Sequence, residues 1–262
     1  MTSFIIRTHG LWRMACLALA GGLAHASTSA TELHVAVAAN FAAPMQSISQ
    51  AFEQQSGHRL RLSVGSTGAF YAQIRNGAPF HVLLSADSDT PARLEQEGLA
   101  VAGTRFTYAT GRLVLWSRTP HLVDDQGQVL KRGGWERLAI ANPKTAPYGA
   151  AALQVLERLG LSQTLASQLV TGENIAQAFQ FASTGNATLG FVALSQVMLD
   201  GSLARGSAWV VPQTLHAPLT QDAVVLAIAK ANRPEREAAL ALLRFLQSNS
   251  VRALLRAHGY TT

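Results

Sequence analysis

Cysteine is almost missing from this 262-residue chain: the single one, Cys16, lies in an N-terminal segment unlike the rest. Beyond that segment, disulfide frameworks, thiolate nucleophiles and cysteine-ligated metals are excluded. Long apolar runs are missing as well; none approaches the roughly 20 residues of a membrane-spanning helix. Only 14% of the residues are charged. The basic ones are scattered (Arg59, Arg61, Arg75, Arg93, Arg105, Arg112, Arg118), with no run of five. That lacks the clustered patch of a nucleic-acid-binding surface. There is no G-x-S-x-G, no H-E-x-x-H and no P-loop, since no G-K-[ST] follows Gly65-Ser66-Thr67-Gly68. The histidines are dispersed, without a metal-ligand pair at i, i+4.

What is present begins with a leader. Arg7 and Arg13 precede the apolar stretch M-A-C-L-A-L-A-G-G-L-A at 14–24, and Ala24-His25-Ala26 follows as a small-x-small site. The pattern predicts a secretory signal peptide over 1–26, cut after Ala26, with Ala30 as the alternative site, and a periplasmic mature protein. Cys16 is not read as a lipidation site, because the apolar run follows it and Arg13-Met14-Ala15 precede it. Losing Arg7 and Arg13 takes the basic count from 21 to 19 against 15 acidic residues, so the net charge falls from +6 to +4.

With 48% hydrophobic residues, the remainder is globular, long enough for one large or two smaller cores. Strand and helix patterns alternate. Strands are expected over 33–38, 59–64 and 81–85, with helices over 41–55, 68–75 and 90–96 between and after them. This rhythm predicts a parallel sheet with crossover helices. The run Y-A-T-G-R-L-V-L-W-S at 108–117 carries the chain toward a second unit. There the pattern resumes with strands at 138–141, 168–170, 189–194 and 208–211 and helices at 149–159 and 175–182. An extended run at 222–228 and helices at 233–247 and 251–258 close the chain. Extended runs near 108–117 and 213–228 read as paired hinges, with the last helices returning to the first unit. The expectation is two α/β lobes with a cleft between them: 31–112 plus 218–262, and 113–217. Trp116, Trp135 and Trp209 read as packing residues.

Chemistry concentrates where strands turn into helices. In open α/β sheets ligands bind at the carboxyl ends of strands, and a helix N-terminus offers free N–H groups to an anion. Ala39-Asn40 and Ser66-Thr67 stand at two such junctions, with Gly65 and Gly68 allowing close backbone approach. Plain helix capping explains the same residues. Two more junctions lie at 142–149, where Tyr148 offers a hydroxyl, and at 173–175, where Asn174 caps and the Ile175 N–H donates. Asp87 and Asp89 suggest either acidic turn residues or a divalent-metal or general-base site of an exported enzyme.

The motifs V-A-V-A-A-N-F (35–41), G-S-T-G (65–68), Y-A-Q-I-R-N-G-A-P (71–79), L-L-S-A-D (83–87), F-T-Y-A-T-G-R-L-V-L-W-S (106–117), A-N-P-K-T-A-P-Y-G (141–149) and L-G-F-V-A-L-S-Q (189–196) run in order through the chain. Together they resemble the periplasmic molybdate-binding proteins, in their asparagine-type branch. The resemblance implies a two-lobe periplasmic-binding-protein fold of type II, with two crossing strands and the ligand cleft between the lobes. It implies that Ala39, Asn40, Ser66, Thr67, Tyr148 and Ile175 (the last through its backbone) hold molybdate or tungstate. No side chain would ligate the metal directly, no cofactor would be needed and no reaction catalysed. The partner would be an inner-membrane ABC permease, and the receptor a monomer. Many members have serine at Asn40 and tyrosine at Ala193; here Tyr148 would stand in from a different helix. The rival is the same fold holding sulfate, phosphate or a small organic acid, the last of which usually calls for an arginine clamp.

Overall fold

The computed structural model describes residues 1–2, 30–199 and 201–262. All but the first two residues of the expected signal peptide, with its cleavage site at Ala26, lie outside the described residues. No described helix is long and apolar enough to cross a membrane.

The chain opens with strand β1 (Glu32–Ala38), a 3-10 turn (Ala39–Phe41) and helix α1 (Ala42–Ser56). Strand β2 (Arg59–Gly65) leads into α2 (Thr67–Arg75), and β3 (Val82–Leu84) into α3 (Asp89–Gln96). The extended run at 106–117 is two strands, β4 (Phe106–Gly111) and β5 (Leu113–Ser117), which join different sheets. Only Arg112 separates them. Next come α4 (Val129–Arg132), β6 (Leu138–Ala141), α5 (Pro147–Arg158) and α6 (Ser162–Leu165). Strand β7 (Leu169–Gly172), α7 (Ile175–Thr184), β8 (Leu189–Ala193) and α8 (Leu194–Val197) follow. A small hairpin, β9 (Met198–Leu199) and β10 (Ser202–Leu203), precedes β11 (Ser207–Val210). The chain crosses back into β12 (Leu219–Val225) and ends with α9 (Arg233–Leu246) and α10 (Asn249–Ala257).

The first sheet has the order β2-β1-β3-β12-β4 and the second β11-β5-β8-β6-β7. The rhythm predicted a parallel sheet; both sheets are mixed. Strands β1, β2 and β3 are parallel, as are β6, β7 and β8. Strand β12 runs antiparallel to β3 and β4, and β5 runs antiparallel to β8 and β11. The reversed strands are those that carry the chain between sheets, so they enter without a crossover helix, which a parallel neighbour would need.

Each sheet is covered on both faces. Alternate residues of one strand serve opposite layers, as the two-residue period requires. Val35 and Val37 pack with Met45, Phe52, Leu242 and Leu255 of α1, α9 and α10. Ala36 between them faces Phe70, Ile74 and Leu94 of α2 and α3. In the second unit Leu113 and Leu115 join Val155 and Leu156 of α5, while Val114 and Trp116 face Ala182 of α7. Trp116, Trp135 and Trp209 are buried packing residues.

Candidate functional site

Four strands end at the cleft between the units: β1 at Ala38, β2 at Gly65, β6 at Ala141 and β7 at Gly172. Their following turns line one small cavity. Ala39, Asn40, Ser66 and Thr67 come from the first unit, and Tyr148 and Ile175 from the second. All six residues singled out from the sequence are therefore brought together. Ala38, Gly65, Ala86, Ala146, Pro147 and Asn174 complete the wall. No lining side chain is charged. The cavity is small, about 10 Å³, close to the minimum for one water.

The donors are uncommitted for identifiable reasons. Ala39 and Asn40 stand in the first turn after β1, where a helix supplies no internal acceptor for N–H groups. Ser66 occupies the N-cap position of α2, yet its side chain caps nothing and bonds to no described residue. Capping therefore does not account for its hydroxyl, which is held in the cavity wall. The Thr67 oxygen accepts from the Ala86 N–H at 3.0 Å, so its own hydrogen remains available. Asn174 is a true cap: its Oδ1 accepts from Ala176 and Gln177 at 2.9 and 3.1 Å. That leaves the Ile175 N–H, at the first helical position, without an acceptor from the cap.

Asn40, expected among the residues that hold the anion, has its side chain committed within the protein. Its Nδ2 hydrogens go to Gln221 Oε1 at 2.9 Å and to the Tyr260 hydroxyl at 3.1 Å. What it has left to offer is its backbone N–H. Its carbonyl accepts from Tyr260 at 2.7 Å and from Ser195 Oγ at 2.8 Å. The Tyr108 hydroxyl is shared between the Ser85 carbonyl at 2.9 Å and Gln221 Oε1 at 3.0 Å, and Gln221 donates from Nε2 to Tyr148 at 3.2 Å. Burial pushes the hydroxyls of Tyr108, Tyr148 and Tyr260 above the ordinary phenol range, so all three stay neutral. Sequence reasoning missed Gln221, Tyr260, Tyr108 and Ser195. Gln221 carried only a weak signal, as part of the polar triplet T-Q-D within the strand L-T-Q-D-A-V-V.

Two backbone features seat this network. Gly111, at the crossing between the sheets, faces the bridge: a Cβ there would lie 2.0 Å from the Tyr148 hydroxyl and 2.5 Å from Gln221 Nε2. Gly68 also approaches the other unit closely, and its N–H donates to the Thr145 carbonyl at 2.8 Å.

Charged groups stand outside. Asp87, Asp89 and Lys144 line a wider neighbouring groove of about 330 Å³. Asp87 is tied into the start of α3 by the Thr90 N–H at 2.9 Å and by Ser85 Oγ at 3.0 Å, a turn role. Arg112 is exposed, and Arg118 reaches the Thr184 carbonyl. Neither lines the cavity.

Comparison with known proteins gives the family. The profile of bacterial extracellular solute-binding proteins matches residues 33–261. The molybdate-binding protein ModA of Azotobacter vinelandii is 55% identical over 93% of this chain and 95% of its own. This chain belongs to the periplasmic molybdate-binding protein family. ModA of Rhodobacter capsulatus is 49% identical over 94% of each chain. The solved structure of an Azotobacter vinelandii periplasmic molybdate-binding protein superposes with a TM-score of 0.84 at 40% identity, covering 88% of this chain and 99% of that one. The fold is accordingly the two-lobe periplasmic-binding-protein architecture, and the relatives are solute-binding proteins.

Proposed function

We propose that this protein is a periplasmic receptor that holds molybdate or tungstate in the cavity and delivers it to an inner-membrane ABC permease. The observation that carries this reading is the convergence of neutral donors, with no charged side chain, from two lobes on one cavity. The relatives' names point to the same ligand.

A dianion removed from water needs donors around its oxygens. The N–H groups of Ala39, Asn40 and Ile175 and the hydroxyls of Ser66, Thr67 and Tyr148 supply them, and the helix N-termini at the four turns add partial positive charge. The oxyanion is gripped through its oxygens and the metal needs no protein ligand. Ser66, Thr67 and the N–H groups of Ala39 and Asn40 belong to one lobe, Tyr148 and Ile175 to the other, so a bound anion joins the lobes. The cavity is tight, and the anion enters as they part and settle about it, a hinge motion at the crossings near 112 and 218. Lobe one is then 31–112 plus 218–262, and lobe two 113–217. The cleaved leader 1–26 places the monomeric receptor in the periplasm, and the closed form is what the permease reads.

Molybdate and tungstate are nearly equal in size and are held alike. Sulfate is smaller and leaves donors out of reach, each at a cost of about 1–3 kcal/mol. Thermal melting tests this. Millimolar molybdate or tungstate is expected to raise the melting temperature markedly, since a ligand at 1,000 times its Kd stabilises by about 4 kcal/mol. Sulfate and phosphate are expected to leave it unchanged. Equal stabilisation by sulfate would overturn the assignment of ligand while leaving the anion site.

A further inference from the structure

We propose that Gln221 is a positioning residue for the oxyanion: it turns the Tyr148 hydroxyl hydrogen into the cavity and ties that donor to lobe closure. This rests on the functional reading above and adds to it a residue that does not touch the ligand.

The argument starts from the polarity of one amide. Gln221 is wholly buried in β12. Its Oε1 accepts from Asn40 Nδ2 of the first lobe at 2.9 Å and lies 3.0 Å from the Tyr108 hydroxyl, whose one hydrogen is shared with the Ser85 carbonyl at 2.9 Å. The Tyr260 hydroxyl gives its hydrogen to the Asn40 carbonyl and so accepts from Asn40 Nδ2, which fixes that amide as the donor to Gln221 Oε1. Nε2 then faces Tyr148, to which it donates at 3.2 Å. The phenol oxygen now accepts a hydrogen bond. Its own hydrogen therefore points away from Gln221, and it donates to no described residue. Tyr148 lines the cavity, where an anion accepts that hydrogen. Replacing the amide by a group that accepts from Tyr148 would turn the hydrogen away from the ligand.

The fold makes this bridge deliberately tight. Between Gln221 and Asp222 the register of β12 against β4 slips, pairing them with Ala109 and Thr107 and leaving Tyr108 without a partner. Such a bulge re-aims side chains, and here it sets Tyr108 beside Gln221. Gly111 leaves room for the contact, as any Cβ there would overlap the Tyr148 hydroxyl. Gln221, Asn40 and Tyr108 belong to the first lobe and Tyr148 to the second. The bond therefore forms only when the lobes meet.

A double-mutant cycle tests the inference: wild type, Gln221→Met, Tyr148→Phe and the double variant, each titrated with molybdate and melted without it. Gln221→Met and Tyr148→Phe are each expected to weaken binding about tenfold or more, and the double variant no more than about twofold beyond Tyr148→Phe, because coupled residues are not additive. Losses that multiply, or Gln221→Met binding as wild type, would overturn the inference. Wild type silent to molybdate would overturn the functional reading and this inference with it. Should Gln221→Met fail to fold, Gln221→Glu carries the test. Its carboxylate accepts from Tyr148, so affinity is expected to fall at pH 8 and partly return at pH 5 as the acid gains a proton, against a flat wild-type profile. Wild-type affinity in Gln221→Glu at pH 8 would contradict it.

Discussion

Gly68 and Thr145 meet backbone to backbone across the cleft, the N–H of one donating to the carbonyl of the other at 2.8 Å. A Cβ added to Gly68 would stand 2.9 Å from Thr145 Cα and 3.0 Å from its carbonyl oxygen. Both obstacles are backbone, so neither can swing aside. Alanine normally favours a helix over glycine by about 0.5–1 kcal/mol. Gly68→Ala is thus expected to leave the ligand-free melting temperature unchanged or slightly higher while weakening molybdate binding by about tenfold or more. Calorimetry and melting on the same preparation check both halves. Undiminished affinity would show that the lobes need not close at this point.

Ser195 makes a second contact across the lobes. It follows β8 in the second lobe, and its hydroxyl donates to the Asn40 carbonyl at 2.8 Å, beside the Tyr260 hydroxyl. Ser195→Ala removes the inter-lobe donor, while Tyr260 still satisfies the carbonyl. The loss is one hydrogen bond present only in the closed form, about 0.5–1.5 kcal/mol. Stopped-flow release of molybdate is expected to quicken several-fold with little change in association, since such effects fall mainly on dissociation. An unchanged release rate would remove Ser195 from the closing contacts.

Asp87 yields a pH-dependent expectation. Burial pushes its carboxyl above the ordinary aspartate value, outweighing the opposing bonds from Thr90 and Ser85. An acid whose folded pKa is raised contributes stability below its unfolded pKa and loses it as pH rises through the folded one. At neutral pH the buried charge is therefore a liability. Asp87→Asn keeps an acceptor for the Thr90 N–H and is expected to melt roughly 2–4 °C higher at pH 7.5, the gain vanishing near pH 4. Molybdate affinity should not change. A large loss of affinity would assign Asp87 to the ligand site instead of the turn.

Much of this was legible in the sequence because β–α junctions are local. Val35 to Ala38 and Leu60 to Val64 alternate or run apolar, and the small polar residues after them announce turns at strand ends. The periodicity could not reveal that β5 and β12 run against their neighbours, because strand direction within a sheet is a property of the whole chain path. Nor could it reveal the Asn40–Gln221–Tyr260 cluster, whose members lie 181 and 220 residues apart from Asn40. Asn40 shows the limit most clearly. A polar residue at a helix start reads as a cap or a ligand donor, whereas folding gives its amide hydrogens to two distant side chains. Ser66 shows the reverse: it holds a capping position without capping, and only the structure separates those roles.

The most direct test is calorimetric titration of the mature, ligand-stripped protein with molybdate, tungstate and sulfate in one buffer. The account predicts tight one-to-one binding of molybdate and tungstate, with no heat from sulfate. Silence toward both metal oxyanions would contradict it.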